Sequence, residues 1–352
     1  MKKLEVKQRS VKQYLRLLNE CSESEISTTV GKEVEQRCLS QKLVTAVKDI
    51  FMRLISLIST LLFISLLELL LIAPVTMALH QKVALVTGGN KGIGFQIAKK
   101  LGANGSNIKT IIGCRNVDLG EAAAKELQSA GCDVVFRQLD ICDPSSIESV
   151  RASIEKDFGG LDILVNNAAI AFKGSDPTPF KEQARPTIMV NFFGTLDVTR
   201  AMLPMLRKSS AARIVNVASM TGHLRILPSE GTKAKFTSPT LKVEELESLM
   251  REFVTDIEAG THSKNGWPNT CYGMSKLGVI ALTKIIAREE PKIMVNACCP
   301  GYCATDMSSM RGTKTAEHGS RTPAMLVFLP DSKADNVQPS GKFYSDEAEV
   351  VW

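Results

Sequence analysis

Short apolar runs alternate with amphipathic segments through the middle of the chain. The first run, 83–86, is followed by a glycine-rich turn and then by apolar residues at Ile93, Ile97 and Leu101. A continuous apolar run suits a buried strand, and a spacing of three to four residues suits one face of a helix. This stretch therefore predicts a strand, a turn and a helix in succession.

The same alternation continues to residue 217. Apolar runs predict four more buried strands, at 108–112, 134–136, 161–165 and 213–217. Helices are predicted between them, at 120–128, 144–158 and about 186–206. Such an order indicates an α/β fold with a doubly wound parallel sheet of the Rossmann type. Because ligands bind beyond the carboxyl ends of the strands in these sheets, polar residues at those ends are site candidates.

The turn after the first strand has the sequence TGGNKGIG, at 87–94. Glycines let a backbone approach a ligand closely, and the free N–H groups at a helix start can bind a phosphate. A glycine-rich turn also occurs in plain strand–helix connections, so this stretch alone leaves both alternatives open. The candidate phosphate-binding residues are Gly88, Asn90, Lys91, Gly92, Ile93 and Gly94.

The residue after the second strand bears on the choice of cofactor. An NAD site of this fold has an acidic residue there, which binds the ribose hydroxyls. Here Arg115 occupies that position, and Lys91 lies in the glycine turn. Two cations at one rim suit the 2′-phosphate of NADPH, although two solvated surface charges would give the same pattern.

Tyr272 and Lys276 are four residues apart, so on a helix they share one face. The charge of a nearby lysine can lower the pKa of a phenol and ease proton exchange near neutral pH. The pair is therefore a candidate proton-transfer site, but a tyrosine and a lysine at this spacing are so common by chance that the pair alone does not predict one.

The first eighty residues differ from the rest. Residues 1–53 are polar, with mixed charge, and are either partly helical or disordered. The run 54–73 is apolar except for Glu68, and twenty helical residues span about 30 Å, the thickness of a bilayer core. It is a candidate transmembrane helix; the alternatives are a membrane-surface segment or an extension that the mature protein lacks.

Composition narrows the functional classes. The net charge is +6, of which +4 lies in residues 1–53, so the remainder is nearly neutral and gives no support to nucleic-acid binding. Nine cysteines without regular spacing suit free thiols in a reducing compartment such as the cytoplasm, and no metal-ligand spacing is present. If 54–73 is retained, the catalytic domain would be anchored to a membrane.

In combination, these features resemble the short-chain dehydrogenase/reductase family. The turn TGGNKGIG, the sequence NNAA at 166–169 and the Tyr272–Lys276 pair agree with the family's motifs in order and spacing. The stretches 176–180, 191–195 and 296–301 are similar to those of the NADPH-dependent carbonyl reductases. The resemblance covers about 78–352, the predicted catalytic domain.

The resemblance implies hydride transfer from NADPH to a ketone, aldehyde or quinone. Its catalytic residues would be Asn191, Ser219, Tyr272 and Lys276. Tyr272 would donate the proton, Ser219 would hydrogen-bond the carbonyl oxygen, and Asn191 would place a water in the proton relay. Besides the glycine turn and Arg115, the implied cofactor-binding residues are Asp140, Asn167, Tyr272, Lys276, Pro300, Gly301 and Thr305.

A long segment separates Ser219 from Tyr272, and it carries an apolar stripe at helical spacing. A carbonyl reductase has a similar insertion, which covers the face that other family members use to form tetramers. The resemblance therefore implies a helical insertion at about 225–267 and a monomeric catalytic domain. Three departures, Ala169, Tyr302 and the short connection 287–291, could change the rate or the fit of substrates.

Two alternatives to carbonyl reduction remain at this stage. One is a dehydrogenase of a specific secondary alcohol, such as a steroid, a prostaglandin or a terpenoid. The other is a membrane-anchored binding protein that keeps the fold without turnover, which the presence of all four implied catalytic residues disfavours.

Overall fold

The computed structural model describes residues 29–77, 81–330 and 339–352. Internal contacts divide the chain into two units, Met1–His80 and Gln81–Trp352. The predicted polar extension falls mostly outside the described residues, since these begin at Thr29.

The first unit contains one long helix, α1 (Thr29–Met77). The apolar run 54–73 lies within it, and the side chains of its last part, 66–73, lie outside the described residues. Among the described residues no helix is long and apolar enough to cross a membrane, so the predicted span is not supported.

The second unit is built around an eight-stranded sheet. Its strands are β1 (Lys82–Thr87), β2 (Ile108–Cys114), β3 (Val134–Gln138), β4 (Ile163–Asn166), β5 (Arg213–Val217), β6 (Met294–Cys299), β7 (Phe343–Ser345) and β8 (Ala348–Val350). Their order across the sheet is β3-β2-β1-β4-β5-β6-β7-β8. All neighbours are parallel except β7 and β8, which confirms the predicted Rossmann-type fold.

Helices cover both faces of this sheet. They are α2 (Gly92–Leu101), α3 (Val117–Ser129), α4 (Pro144–Phe158), α5 (Phe180–Ile188), α6 (Thr195–Leu206), α7 (Glu230–Thr237), α8 (Val243–Ala259), α9 (Cys271–Glu289), α10 (Ala316–Gly319) and α11 (Arg321–Phe328). Short 3₁₀ turns occupy Met220–Gly222, Leu224–Ile226 and Asp306–Ser308. The central strands are buried on both faces, which explains their nearly continuous apolar sequences.

The strand order reverses between β1 and β4, which both pair with their neighbours in parallel. Val86 lies beside Val165, and Thr87 lies beside Gly113, so the three strands end at nearly the same level. At such a point the following loops diverge to opposite sides of the sheet and leave a crevice. The glycine turn opens directly onto this crevice.

The helix predicted over about 186–206 is wrong in two respects. It begins earlier, at Phe180, and a π-helical turn, Met189–Gly194, separates α5 from α6. Pro186 lies inside α5 and has no N–H group, so one backbone hydrogen bond of the regular helix is lost there. The π-helical turn widens the helix at Asn191, whose side chain is buried.

The insertion is ordered and packs on the domain. Helix α8 packs against α5 and α9, and its apolar stripe is buried. Trp267 follows it, with its ring centroid 5.8 Å from that of Phe253. Its indole N–H donates to Asp256 Oδ2 at 2.8 Å, which satisfies the ring's one polar group. These contacts fix the insertion as part of the core.

Candidate active site

A cleft of about 760 Å³ lies at the carboxyl ends of the strands, where the strand order reverses. Ten of the predicted cofactor-binding residues line it: Gly88, Asn90, Lys91, Gly92, Ile93, Gly94, Arg115, Asp140, Asn167 and Thr305. The other four predicted residues, Tyr272, Lys276, Pro300 and Gly301, are not among the described residues that line this cleft. The structure therefore assembles residues from 88 to 305 into one groove.

Close packing leaves no room for a side chain at the glycine positions of the turn that face the end of β4. A Cβ atom at Gly94 would overlap the carbonyl oxygen of Gly88 and the Asn167 side chain. Gly88 and Gly92 have φ angles of +66° and +57°, which favour glycine. The turn residues line the cleft at the start of α2, where free backbone N–H groups can bind a phosphate, so the turn fits a dinucleotide.

Asn167 holds this turn in place. Its Nδ2 atom donates to the carbonyl oxygens of Thr87 at 2.9 Å and Gly88 at 3.2 Å. The backbone N–H groups of Asn167 and Ala168 both donate to Thr87 Oγ1 at 3.0 Å. The end of β4 is thus tied to the end of β1. Ala169, one residue further on, lines the cleft and adds a methyl group there.

Arg115 and Lys91, the two cations predicted to bind the 2′-phosphate, both line the cleft, but their surroundings differ. Arg115 is exposed and follows directly after β2. Lys91 Nζ is 2.8 Å from Asp306 Oδ2, in the loop after β6. Asp140 accepts a hydrogen bond from the Cys142 N–H at 2.9 Å. At this edge of the cleft Arg115 is therefore exposed without an ion-pair partner among the described residues, whereas Lys91 is paired with Asp306.

Helix α9 carries the tyrosine and the lysine. Thr270 caps it by accepting from the Gly273 N–H at 3.0 Å, which places Tyr272 in the first turn. Lys276 is buried, and its Nζ lies 5.7 Å from the centroid of the Tyr272 ring. The ammonium donates to the Val217 carbonyl at 2.7 Å, which uses one of its three donors. This bond fixes α9 at the carboxyl end of β5.

Burial controls the protonation of both groups. It raises the pKa of Tyr272 to about 12, with a smaller contribution from the nearby Cys299 thiol. It lowers the pKa of Lys276 to about 8. Loss of hydration disfavours both charged forms, so the net shift of the Tyr272 pKa is upward, and the expected lowering of this pKa by the charge of Lys276 stays a prediction.

Asn191 braces the site from the π-helical turn. Its Nδ2 donates to the Ile170 carbonyl at 2.9 Å and to Ser275 Oγ at 3.0 Å. Its Oδ1 accepts from the Ile170 N–H at 2.8 Å. Ser275 lies between Tyr272 and Lys276 on α9. The Asn191 side chain therefore joins the loop after β4 to the helix that carries both residues.

Ser219 lies just beyond β5 and is partly exposed. Its Oγ accepts from the Thr221 N–H at 3.2 Å and from the Thr221 hydroxyl at 2.9 Å. Val217, to which Lys276 is bound, is only two residues away. Ser219 and the face of α9 that carries Lys276 thus meet at the same strand end.

The profile of the family described as short chain dehydrogenase matches residues 82–229 and 258–316 of this chain. The chain belongs to this family. The match covers the glycine turn, the cleft and the residues on α9, so the resemblance predicted from the motifs is confirmed.

Curated relatives of this short-chain dehydrogenase include carbonyl reductase (NADPH) 1 of Homo sapiens. It is 45% identical over 278 residues, which cover 77% of this chain and 98% of the human protein. Carbonyl reductase (NADPH) 3 of Rattus norvegicus is 42% identical over 279 residues, with the same coverage. Salutaridine reductase from Papaver somniferum matches in structure with a TM-score of 0.68 and 32% identity, over 75% of this chain and 99% of its own.

Several residues at the site of this short-chain dehydrogenase were not predicted from its sequence. Asp306 forms an ion pair with Lys91. Ser275 accepts a hydrogen bond from the Asn191 amide, and Thr221 donates one to Ser219. Met307 and Met310 also line the cleft. Ser275 lies inside the Tyr272–Lys276 motif and could have been found there; the other contacts depend on loop conformations that leave no periodic signal.

Proposed function

We propose that this chain reduces the carbonyl group of a ketone, an aldehyde or a quinone, with NADPH as the hydride donor and Tyr272 as the proton donor. The observation that carries the proposal is the Lys276–Val217 hydrogen bond. It holds the Tyr272 face of α9 at the strand end that also bears Ser219. In this proposal the Tyr272 phenol, the Ser219 hydroxyl and the Lys276 ammonium act together at the end of β5, and the nicotinamide end of the cofactor would reach them from the cleft.

Each of these groups has a distinct role in the reaction. NADPH, when bound, supplies the hydride that adds to the carbonyl carbon. Tyr272 gives its phenolic proton to the carbonyl oxygen, and Ser219 donates a hydrogen bond to that oxygen as charge develops. A Tyr272 pKa of about 12 keeps the phenol protonated at neutral pH, as a donor in the reductive direction must be. Lys276 has donors left to hold the ribose.

The assignment of NADPH as the cofactor depends on the two cations at the edge of the cleft and on the glycine turn. Arg115 and Lys91 would bind the 2′-phosphate, and the N–H groups of the turn at 88–94 would bind the pyrophosphate. Asp140 would contact the adenine and Asn167 the adjoining ribose. Pro300, Gly301 and Thr305 would lie around the nicotinamide amide. The curated relatives that match this chain are named carbonyl reductase (NADPH), which supports the same cofactor and reaction.

The experiment is NADPH oxidation by the full chain against a panel of ketones, aldehydes and quinones. We expect turnover by the wild type and a loss of at least about 100-fold in kcat for Tyr272→Phe, since the phenylalanine keeps the ring and removes the proton donor. NADPH binding, followed by protein fluorescence, should persist in the variant and serves as the control. A wild type without turnover, or a Tyr272→Phe variant with full kcat, contradicts the proposal.

The dehydrogenase and the non-catalytic alternatives are less well supported. The curated relatives that match this chain are named as reductases, which favours carbonyl reduction over oxidation of an alcohol. A binding protein without turnover would not need a proton donor, a buried lysine and a serine at one strand end.

The same architecture suggests a monomeric catalytic unit. Helix α8 lies on α5 and α9, where it covers surface that would otherwise be open to a second copy. Light scattering on the full chain checks this proposal, and a stable tetramer formed through α9 contradicts it. Membrane association of 54–73 and a cytoplasmic catalytic unit stay predictions, for which carbonate extraction from native membranes is the direct measurement.

A further inference from the structure

Thr221 makes two hydrogen bonds to the same atom of Ser219. Its backbone N–H donates to Ser219 Oγ at 3.2 Å, and its hydroxyl donates to the same oxygen at 2.9 Å. A serine hydroxyl has two acceptor lone pairs and one hydrogen to donate. Thr221 therefore occupies both acceptor positions of the Ser219 hydroxyl. The hydroxyl hydrogen of Ser219 is left, so Ser219 can still donate one hydrogen bond.

The turn that carries Thr221 is held in place from several sides. The Gly222 N–H donates to the Ser219 carbonyl at 2.9 Å, and the Trp352 indole donates to the Gly222 carbonyl at 2.9 Å. A Cβ at Gly222 would lie 2.5 Å from the backbone of Lys276, so the turn packs directly against α9. Thr221 is thus fixed relative to both Ser219 and the helix that bears Tyr272.

We propose that Thr221 is a positioning residue, which fixes Ser219 as a hydrogen-bond donor to the carbonyl oxygen of the substrate. This inference rests on the proposed carbonyl reduction. Without the Thr221 hydroxyl, the Ser219 hydrogen could rotate toward other acceptors, and water could occupy the free lone pair. With it, the donor is oriented before the substrate binds, and stabilisation of the developing oxyanion requires no reorganisation. A hydrogen bond received by Ser219 also strengthens the one that it donates.

The test compares Thr221→Val, which keeps the shape and removes the hydroxyl, with Thr221→Ser, which keeps the hydroxyl. We expect Thr221→Val to lower kcat about 3- to 10-fold, the worth of one neutral hydrogen bond, with an unchanged KM for NADPH. Thr221→Ser should stay within about twofold of the wild type. A matched control is Thr240→Val in the insertion, where Thr240 and Ser238 hydroxyls are 3.1 Å apart in the same Ser-x-Thr arrangement; kcat should not change.

A double-mutant cycle with Ser219→Ala isolates the coupling. If Thr221 acts through Ser219, Thr221→Val should have almost no further effect in the Ser219→Ala background. An equal loss in both backgrounds, or full kcat in Thr221→Val, overturns the inference while the proposed reaction stands. A wild type without carbonyl turnover would overturn the proposed reaction itself, so the two failures are distinguishable.

Discussion

Lys91 in the glycine turn forms an ion pair with Asp306, which is 215 residues further along the chain. The two side chains are 64% and 68% exposed, and their charged atoms lie 2.8 Å apart. Thr305, beside Asp306, faces Gly92 across the same gap. The cation proposed to bind the 2′-phosphate is therefore already paired with a carboxylate, and we expect a bound phosphate to compete with Asp306 for it.

Substitution of Asp306 should release Lys91 for the cofactor. We expect Asp306→Asn to lower the Kd of NADPH about two- to fivefold, the range for an exposed ion pair, and to leave the Kd of NADH unchanged. Titration calorimetry at low ionic strength measures both values. Glu258→Gln removes the same charge from an ion pair in the insertion and should change neither. Equal tightening of both cofactors would show that Asp306 acts by general repulsion and not through Lys91.

Arg115 is the open cation at the rim, and its replacement should change cofactor preference. The guanidinium would make a charge-assisted hydrogen bond to the 2′-phosphate, whereas an aspartate would repel that phosphate and accept from a free 2′-hydroxyl. We therefore expect Arg115→Asp to reduce the ratio of kcat/KM for NADPH over NADH by about 10- to 100-fold. Lys125→Asp, an equal charge change on the exposed face of α3, is the control. An unchanged ratio excludes Arg115 as the phosphate ligand.

The lowered pKa of Lys276 links stability to pH. Burial moves this pKa from 10.5 to about 8, so between these values the unfolded chain binds a proton that the folded chain lacks. Stability should therefore rise with pH across this window, and it should be flat with respect to this group below about 8. Lys276→Met has no such group, so the Tm of the wild type minus that of Lys276→Met should increase from pH 8 to pH 10.

This measurement is made on the cofactor-free full chain, where other titrating groups cancel between the two proteins. The upper limit of pH 10 keeps Tyr272 protonated, because burial raises its pKa to about 12. A Tm difference that is constant from pH 7 to pH 10 would show that Lys276 keeps its ordinary pKa in the folded chain.

Local sequence predicts part of this structure closely. The sequence predicts strand β5 and helix α4 with the bounds that the structure shows, and α4 has Asp143 as its cap and Gly159 in the left-handed region at its end. These features depend on hydrophobic period and on capping chemistry, which neighbouring residues determine. The sequence also predicts which residues belong to the candidate site, because each motif directly follows a predicted strand and the ends of parallel strands lie together at one edge of the sheet.

Other features depend on tertiary contacts and left no local signal. The Lys91–Asp306 pair joins loops that only the folded sheet brings together. The upward shift of the Tyr272 pKa depends on burial, which only the packing of the whole domain around the phenol sets. The π-helical turn at Asn191 interrupts a stretch whose apolar spacing suits a continuous helix. Long-range contacts decided each of these outcomes.

A buried polar network between β4, β5 and two helices provides a stability test away from the cleft. Asn216 Oδ1 accepts from Asn166 at 2.8 Å, and its Nδ2 donates to Thr283 Oγ1 at 2.8 Å. Asn166 also donates to Thr199 at 3.0 Å. All four side chains are buried among apolar residues of the sheet, so each lost partner leaves a dry polar group.

Asn216→Ala should leave the Asn166 amide and the Thr283 hydroxyl without this partner. We expect a loss of about 2–4 kcal/mol in the free energy of unfolding, since an unsatisfied buried polar group costs about 1–3 kcal/mol. Urea denaturation followed by circular dichroism measures it. Thr283→Val in the Asn216→Ala background should change stability little further, because the Thr283 hydroxyl still donates to the Val279 carbonyl at 2.8 Å and is not left unsatisfied. A single variant as stable as the wild type would show that water replaces Asn216 in the network.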